Sequence, residues 1–503
     1  MTAKAIQIVS PVGGWNTRDA LDQMPPEDAV ILTNWFPTVG RVQTRKGYVT
    51  YASDMPGPVE TLAEFNAGAS RKFIAASNNA IYDISTPGAV GIALASGFQN
   101  DRWSFSQFDD ASGGARMALV NGIDPPQMYD GMAVSALTVS GTDLTINNLI
   151  GVFTFKNRSY FWEKDSQDFW YSATGALGGS LNKFPLGRVS GFGGNLIAIQ
   201  SWTVDGGDGV DDLAIFIMSS GDVIIYQGSD PGSAADWALV GIFRLGAPLS
   251  SRGALKVGSE VVVMTKDGYV PLSKVLDAGR AASARAISDK INGAVKEAAN
   301  LYAGNFGWQA LMYPQGNYLL FNVPVSETRF DQHIFNTLTN TWTKFEGLNG
   351  ICWSLYNDKL YFGGIDGNVY LADEGHNDNG NPITFSAQTA WNYLNSRGQI
   401  KRFTALKPVF ESEGALPISL ALAFDFETPA ATYSVSNFSG NAPEWDNSPW
   451  DLSAWAGENT IIRPWVSVAG IGLNVSTRVI AALGQQSCKW FSLEYLFEPA
   501  GYV

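Results

Sequence analysis

The feature that most limits how this chain can fold is a hairpin that recurs along its first three quarters. Each unit is a short apolar strand, a tight polar turn and a second strand that tends to end in Tyr. Lys72-Phe73-Ile74-Ala75-Ala76 turns at Ser77-Asn78-Asn79 into Ala80-Ile81-Tyr82, and Arg116 to Val120 turns at Asn121-Gly122 before reaching Met128-Tyr129. The pattern returns at Arg158 to Trp162 with Phe169-Trp170-Tyr171, at Leu213 to Met218 with Val223 to Tyr226, and at Glu260 to Met264 with Tyr269-Val270. Tyr318 to Phe321 followed by His333 to Phe345, and Lys359 to Phe362 followed by Val369-Tyr370-Leu371, complete the series. Asn-Gly and Asp-Gly pairs supply the positive φ that two-residue hairpin loops need.

Roughly seven units fall between residues 70 and 375, at intervals of about 40 to 60 residues, the period at which four-stranded propeller blades repeat. The expected fold is therefore all-β, a β-propeller of about six to eight blades. A set of meander hairpins in a sandwich or barrel is the other arrangement the pattern admits, because alternation and turns do not by themselves close a ring. The 53 Gly and the 16 Trp, 18 Tyr and 28 Phe suit strands joined by short loops. Hydrophobic residues at 45% against 16% charged leave no compositional mark of disorder.

Three segments are expected. Residues 1–55 read as an extended arm with the first strands, because Pro and Gly oppose a long helix. Residues 56–382 hold the propeller repeats and one helical insertion, 277–300, which is alanine-rich, can be capped by Asp277 and places Ile287, Ile291, Val295 and Ala298 near one face. That helix suits either sealing a gap between blades or touching a neighbouring subunit. Residues 383–503 form a further β-rich, sandwich-like region. Within it Trp445, Trp450 and Trp455 recur every fifth residue, a spacing that fits neither helix nor strand, so an ordered loop is expected whose indoles serve as internal core or as interface anchors.

The residues offer little chemistry. Only His333 and His376 are present, neither beside a Ser or Cys in a nucleophile setting, and no HExxH, GxSxG or GxxxxGK[ST] motif occurs. Both His are expected to be structural or solvated. Cys352 and Cys488 are far apart and match no metal-ligand spacing, so neither a disulfide framework nor a zinc site is expected. The acidic stretch containing Asp205, Asp208, Asp211 and Asp212 departs from the spacing of a calcium loop and reads as an exposed acidic loop. No catalytic residue, cofactor or metal is expected. The boxes that mark sialidase-like propellers are missing, although carboxylate pairs could still serve a glycan-degrading enzyme.

A formal charge of −14 repels a phosphate backbone, and basic residues form no run, so a nucleic-acid binder in the usual sense is not expected. The N-terminus has no apolar signal region, and no apolar stretch approaches the roughly 18 residues of a membrane span. A soluble chain without a classical export signal is expected.

The opening segment carries a resemblance. Gly14-Trp15-Asn16-Thr17-Arg18, Met24-Pro25-Pro26, Asn34-Trp35-Phe36-Pro37 and Arg45-Lys46-Gly47-Tyr48 together resemble the start of tail nozzle, or tail-accessory, proteins of short-tailed bacteriophages. The resemblance implies a structural and non-enzymatic virion component, assembled in the host cytoplasm. It implies a ring, of hexameric order, that joins adaptor and portal proteins and the tail fibres or spikes, and through which DNA passes without being held. In that setting Trp15, Trp35, Phe36, Tyr48, Trp445, Trp450 and Trp455 are candidate partner-interface residues, and Asp205, Asp208, Asp211 and Asp212 a candidate acidic lumen loop. The alternative of another class is a carbohydrate-binding or glycan-degrading propeller that reads a host surface.

Overall fold

The computed structural model describes residues 3–502 apart from residues 69, 110–113, 206–209, 279–285, 414–415, 428–431 and 435–459. Every recurring hairpin of the sequence is the second and third strand of an antiparallel sheet. Blade one is Val59–Ala67, Ser70–Ser77, Ala80–Asp83 and Ala95–Ser96, and blade two is Ser104–Asp109, Ala115–Val120, Gln127–Tyr129 and Val134–Ala136. Blade three runs from Leu149–Phe155 to Gly179–Phe184, blade four from Leu196–Asp205 to Ala238–Arg244, and blade five from Ala254–Val257 to Gly268–Pro271. These five stand as separate sheets. Two further blades are joined to the C-terminal region: blade six, from Gln309–Tyr313 to Thr341–Phe345, and blade seven, made of Cys352–Tyr356, Lys359–Gly363, Val369–Ala372 and the N-terminal strand Tyr48–Ser53.

The first strands of the blades neighbour one another in order, and that of blade seven returns to that of blade one, so the ring is closed. The turns have the chemistry the sequence promised: Asn78 and Asn79, and likewise Asn357 and Asp358, all sit at positive φ, the mirror-image geometry that matches strand twist. Closure does not come from the order of the repeats alone. Tyr48–Ser53 pairs antiparallel with Val369–Ala372, Tyr48 opposite Ala372, so a strand from one end of the sequence completes the last blade.

The rest of the N-terminal segment, expected as an extended arm with the first strands, is built as strands into the C-terminal body. Lys4–Val9 runs antiparallel along Ser492–Phe497. Trp35–Thr38 and Arg41–Thr44 form a hairpin on the same sheet, and Asp28–Thr33 pairs with Asn381–Thr389 of a second sheet. The first sheet centres on Gln399–Ser412 against Cys488–Tyr502, and the second continues through Val475–Leu483 to Ile418–Phe424. Inward side chains of both sheets, among them Leu32, Trp35, Phe385, Phe403, Leu420 and Trp490, share one core. On the outer face of the first sheet Arg402, Lys407 and Lys489 meet Glu498, Glu494 and Glu411 across the same pair of strands. A one-residue slip would turn these charges into the core, so the ladder favours one register.

The helical insertion is shorter and later than its composition suggests. Helix α1 spans Leu272–Ala278, so Asp277 stands within it and not ahead of it; helix α2 spans Asn292–Tyr302. Its first turn is capped from far away, the Ala294 N–H donating to Thr17 Oγ1 at 3.1 Å. Gly293 permits this approach, since a Cβ there would lie 2.6 Å from the Thr17 carbonyl oxygen. Val295 and Ala298 are buried as expected, whereas Ile287 lies before the helix and accepts a hydrogen bond from the Trp342 indole. α2 packs on strands of blades five and six, so it seals a gap within the chain.

Candidate functional site

The four aromatic residues singled out in the opening segment divide between two cores, Trp15 and Trp35 in the one that includes the C-terminal body, Phe36 and Tyr48 against the one formed by blades six and seven. Trp35 is fully buried, its ring against Phe385 at 5.6 Å and Trp490 at 5.8 Å. Trp15 is buried edge-on to His333 at 5.4 Å. Phe36 packs on Tyr318, and Tyr48 meets Phe362 and Tyr370 at about 5 Å, both only partly buried. Trp15 and Trp35 thus pack chiefly within the chain, as the rings they face show. Trp445, Trp450 and Trp455 lie outside the described residues.

The polar members of the same segment form a clamp that sequence reading passed over. Arg45, almost wholly buried, uses all five of its N–H groups: Nε donates to Asn34 Oδ1, Nη1 to the Lys46 carbonyl and to Asp378 Oδ1, and Nη2 to the Glu346 carbonyl and to Asp378 Oδ2. Asn34, at φ 64°, also accepts from the Glu346 N–H and donates to the Thr384 carbonyl. Asn is one of the few side chains that enter the left-handed region readily, and here its amide ties blade six to the second sheet. Gly47 allows closest approach, since a Cβ would stand 1.7 Å from the Asn377 carbonyl oxygen. Upstream, Asn16 donates to Asp19 and Asp28, and Lys290 beside α2 reaches Asp28 Oδ1 at 2.6 Å and the Gly13 carbonyl. The one available signal was the alternation of Asn, Arg and Gly among buried aromatics.

His333, edge-on to Trp15, belongs to the joint between the propeller and the C-terminal body as well. Its Nδ1 is 2.9 Å from Tyr269 Oη, and burial with a contribution from Lys344 pushes its pKa down to about 3. A base whose folded pKa lies below its unfolded value of about 6.5 contributes stability that is complete above pH 6.5 and lost as the pH falls toward 3, because the unfolded chain takes up the proton first. Between pH 7 and pH 5 this group should remove about 2 kcal/mol. Urea melts at the two pH values should therefore show a pH dependence smaller by that amount in His333→Asn; equal dependence would reject the assignment.

The propeller axis holds the other notable concavity, a cavity of about 800 Å³ to which all seven first strands contribute. Arg252, just ahead of blade five, reaches across to blades one and two, donating to the Glu60 carbonyl at 2.8 Å, Thr61 Oγ1 at 2.9 Å and the Trp103 carbonyl at 3.1 Å. Burial holds its guanidinium below the ordinary value. Phe306 lies against both Arg252 and Arg102, and Arg102 pairs with Glu60. The Arg252 side chain thus links blades that are not neighbours in the ring.

Of the acidic stretch, Asp212 accepts from Thr203 Oγ1 at 2.7 Å, and Asp205 and Asp211 stand on the first two strands of blade four, at the end of the innermost strand. Asp208 lies outside the described residues. Cys352 and Cys488 are both free and buried, and burial raises both thiols, that of Cys352 to about 12. Among the described residues no group of three or more His, Cys, Asp or Glu could hold a metal ion, and no helix is long and apolar enough to cross a membrane.

Fold and joint together define the class, a closed β-propeller fused to a β-rich body through its N-terminal segment. No family model and no curated protein matches the sequence. Among solved structures, the chain is similar to a crystal structure of BBS1N in complex with ARL6DN soaked with lead, at TM-score 0.38 and 9% identity over 65% of this chain and 98% of that one. It is also similar to a chain of a mitotic checkpoint complex crystal structure, at TM-score 0.34 and 12% identity over 63% of this chain and 90% of that one.

Proposed function

We propose that this chain is a structural subunit of a ring, and that the ring is the nozzle of a short viral tail, of hexameric order, set below adaptor and portal proteins and carrying fibres or spikes. The observation that carries the ring is the outermost strand of blade four. Ala238–Arg244 pairs with Asp222–Gln227 on one side only among the described residues, and its Leu239, Val240 and Ile242 are each 41–50% exposed. A long apolar edge is a template for pairing that soluble monomers normally blunt. A closed head-to-tail ring requires a second, different patch on the same chain. The edge of the C-terminal body offers one in Ile461, Trp465 and Ile471, each about half exposed or more, attached to blades six and seven while blade four stands further round the propeller. The nozzle assignment rests on the resemblance of the opening segment.

In this reading the genome's path runs along the axis of the assembled ring, outside the propeller, whose own axis is crossed by Arg252. The net charge of −14 keeps a passing duplex from adhering. Light scattering with negative-stain images, on the protein alone and with an adaptor ring, should show a ring with an open bore. The Val240→Asp, Ile242→Asp variant should lose it while keeping its melting curve. A wild-type protein that stays monomeric under both conditions rejects the proposal.

A second reading has one observation in its favour. The axial cavity has Phe105, Phe153, Trp162 and Glu64 among its lining residues, and a sugar site combines aromatic faces with a carboxylate. Binding in a glycan screen, abolished by Trp162→Ala, would favour a carbohydrate-binding propeller.

A further inference from the structure

The hairpin Trp35–Thr38 and Arg41–Thr44 stands over blade six, and between them lies a cleft of about 440 Å³. Its walls are aromatic, Phe36 and Tyr318 meeting edge to face at 5.9 Å, and its charged lining is mainly basic. Two of its cations are engaged: Arg45 is saturated by the clamp, and Lys46 stands 3.4 Å from Asp373. Arg41 differs. It lines the cleft, its Nε is buried without a hydrogen-bond partner among the described residues, and it enters none of their ion pairs. A buried donor left unmade costs about 1–3 kcal/mol, and a guanidinium is shaped to take a carboxylate. Within a chain of net charge −14, a cation without a partner among the described residues, set among aromatic and polar side chains, is an invitation to an anion.

The rims say what kind of anion. Val39, at the tip of the hairpin, is 83% exposed, and Leu338, at the tip of the turn between the last two strands of blade six, is 68% exposed; both border the cleft. A small molecule filling the slot would leave both in water. A chain segment lying across the slot would cover both.

We infer that this cleft is a docking site for an extended acidic peptide segment of a partner protein, one carboxylate of the segment binding Arg41 and flanking apolar side chains covering Val39 and Leu338. The site goes beyond the ring contacts proposed above, involving neither blade four nor the outer edge of the C-terminal body.

The test is fluorescence polarisation with the labelled peptide Gly-Leu-Glu-Leu-Glu-Leu, and with the same peptide carrying Lys for Glu as control. The Glu peptide should bind and the Lys peptide should not. Affinity should fall at least tenfold in Arg41→Ala and severalfold in Leu338→Ser, and weaken with added salt. Neither change touches a partner that holds the fold, so both variants should melt with the wild type. Absence of binding, or binding indifferent to Arg41→Ala, overturns the inference. Full displacement by glutarate at equal affinity would make the ligand a small dicarboxylate and overturn the peptide assignment. A change in the copy number of the particle on Arg41→Ala would make the occupant a second copy of this chain, which also overturns it.

Discussion

Removing residues 1–55 should abolish folding of both halves of the molecule. The deletion takes Tyr48–Ser53 from blade seven and leaves Val369–Ala372 as an open edge. It also strips four strands from the C-terminal body, and with them Ile8, Leu32, Trp35 and Val42 of its core. A buried aromatic lost from a core costs about 3–5 kcal/mol, and a domain is typically stable by only 5–15 kcal/mol. The truncated chain should be insoluble, and co-expression of residues 1–55 as a separate polypeptide should restore soluble protein. Soluble, cooperatively melting truncated protein would show that the propeller closes without its N-terminal strand.

Arg45→Ala should be the most damaging single substitution in the joint. It leaves Asp378, whose side chain is 12% exposed, without its two charge-assisted bonds, and leaves Asn34 and the Glu346 carbonyl each short of a donor. Breaking one side of a buried ion pair costs about 3–5 kcal/mol, mostly from the charge left behind. Arg45→Lys should recover little, because an ammonium offers three donors from one point and cannot span Asn34, Asp378 and two carbonyls. Arg45→Leu with Asp378→Leu removes the stranded charge and should lose less than Arg45→Ala alone. Urea-unfolding midpoints of the four proteins read the order directly. A loss below about 1 kcal/mol in Arg45→Ala would mean that the joint is wetter or looser than described.

What could be read from sequence, and what could not, divides by range. The seven hairpins were legible because their pairing is local: Phe73 to Tyr82, or Leu360 to Leu371, each carry alternation, a turn and a return within a dozen residues. The first strands were harder. Ser104–Asp109 holds only two apolar residues, Phe105 facing the axial cavity and Phe108 the core, and Val134–Ala136, an outer strand, is three residues long. The β-rich C-terminal region was expected and is present, but its dependence on the opening segment was not foreseen. Lys4–Val9 and Ser492–Phe497 carry no mark that they pair across nearly the whole chain. For the site, Trp15, Trp35, Phe36 and Tyr48 were offered as interface candidates and pack into two cores of the chain, yet Asn34, Arg45 and Asp378 drew no notice as a unit. A buried ion pair between residues 333 positions apart looks, in sequence, like two ordinary surface charges.

The N-terminal strand in blade seven also sets a timetable. Tyr48–Ser53 leaves the ribosome some 320 residues before its partner Val369–Ala372, and Lys4–Val9 waits longer still for Ser492–Phe497. At about 5–20 residues per second the opening segment is in the open for roughly 15–60 s while blades one to six form behind it. Residues made early are the last to be placed, so during synthesis Trp15 and Trp35 wait for partners that do not yet exist. Any chaperone that shields an emerging aromatic segment would act on this chain there, and at high expression two nascent copies could exchange these ends before either ring shuts.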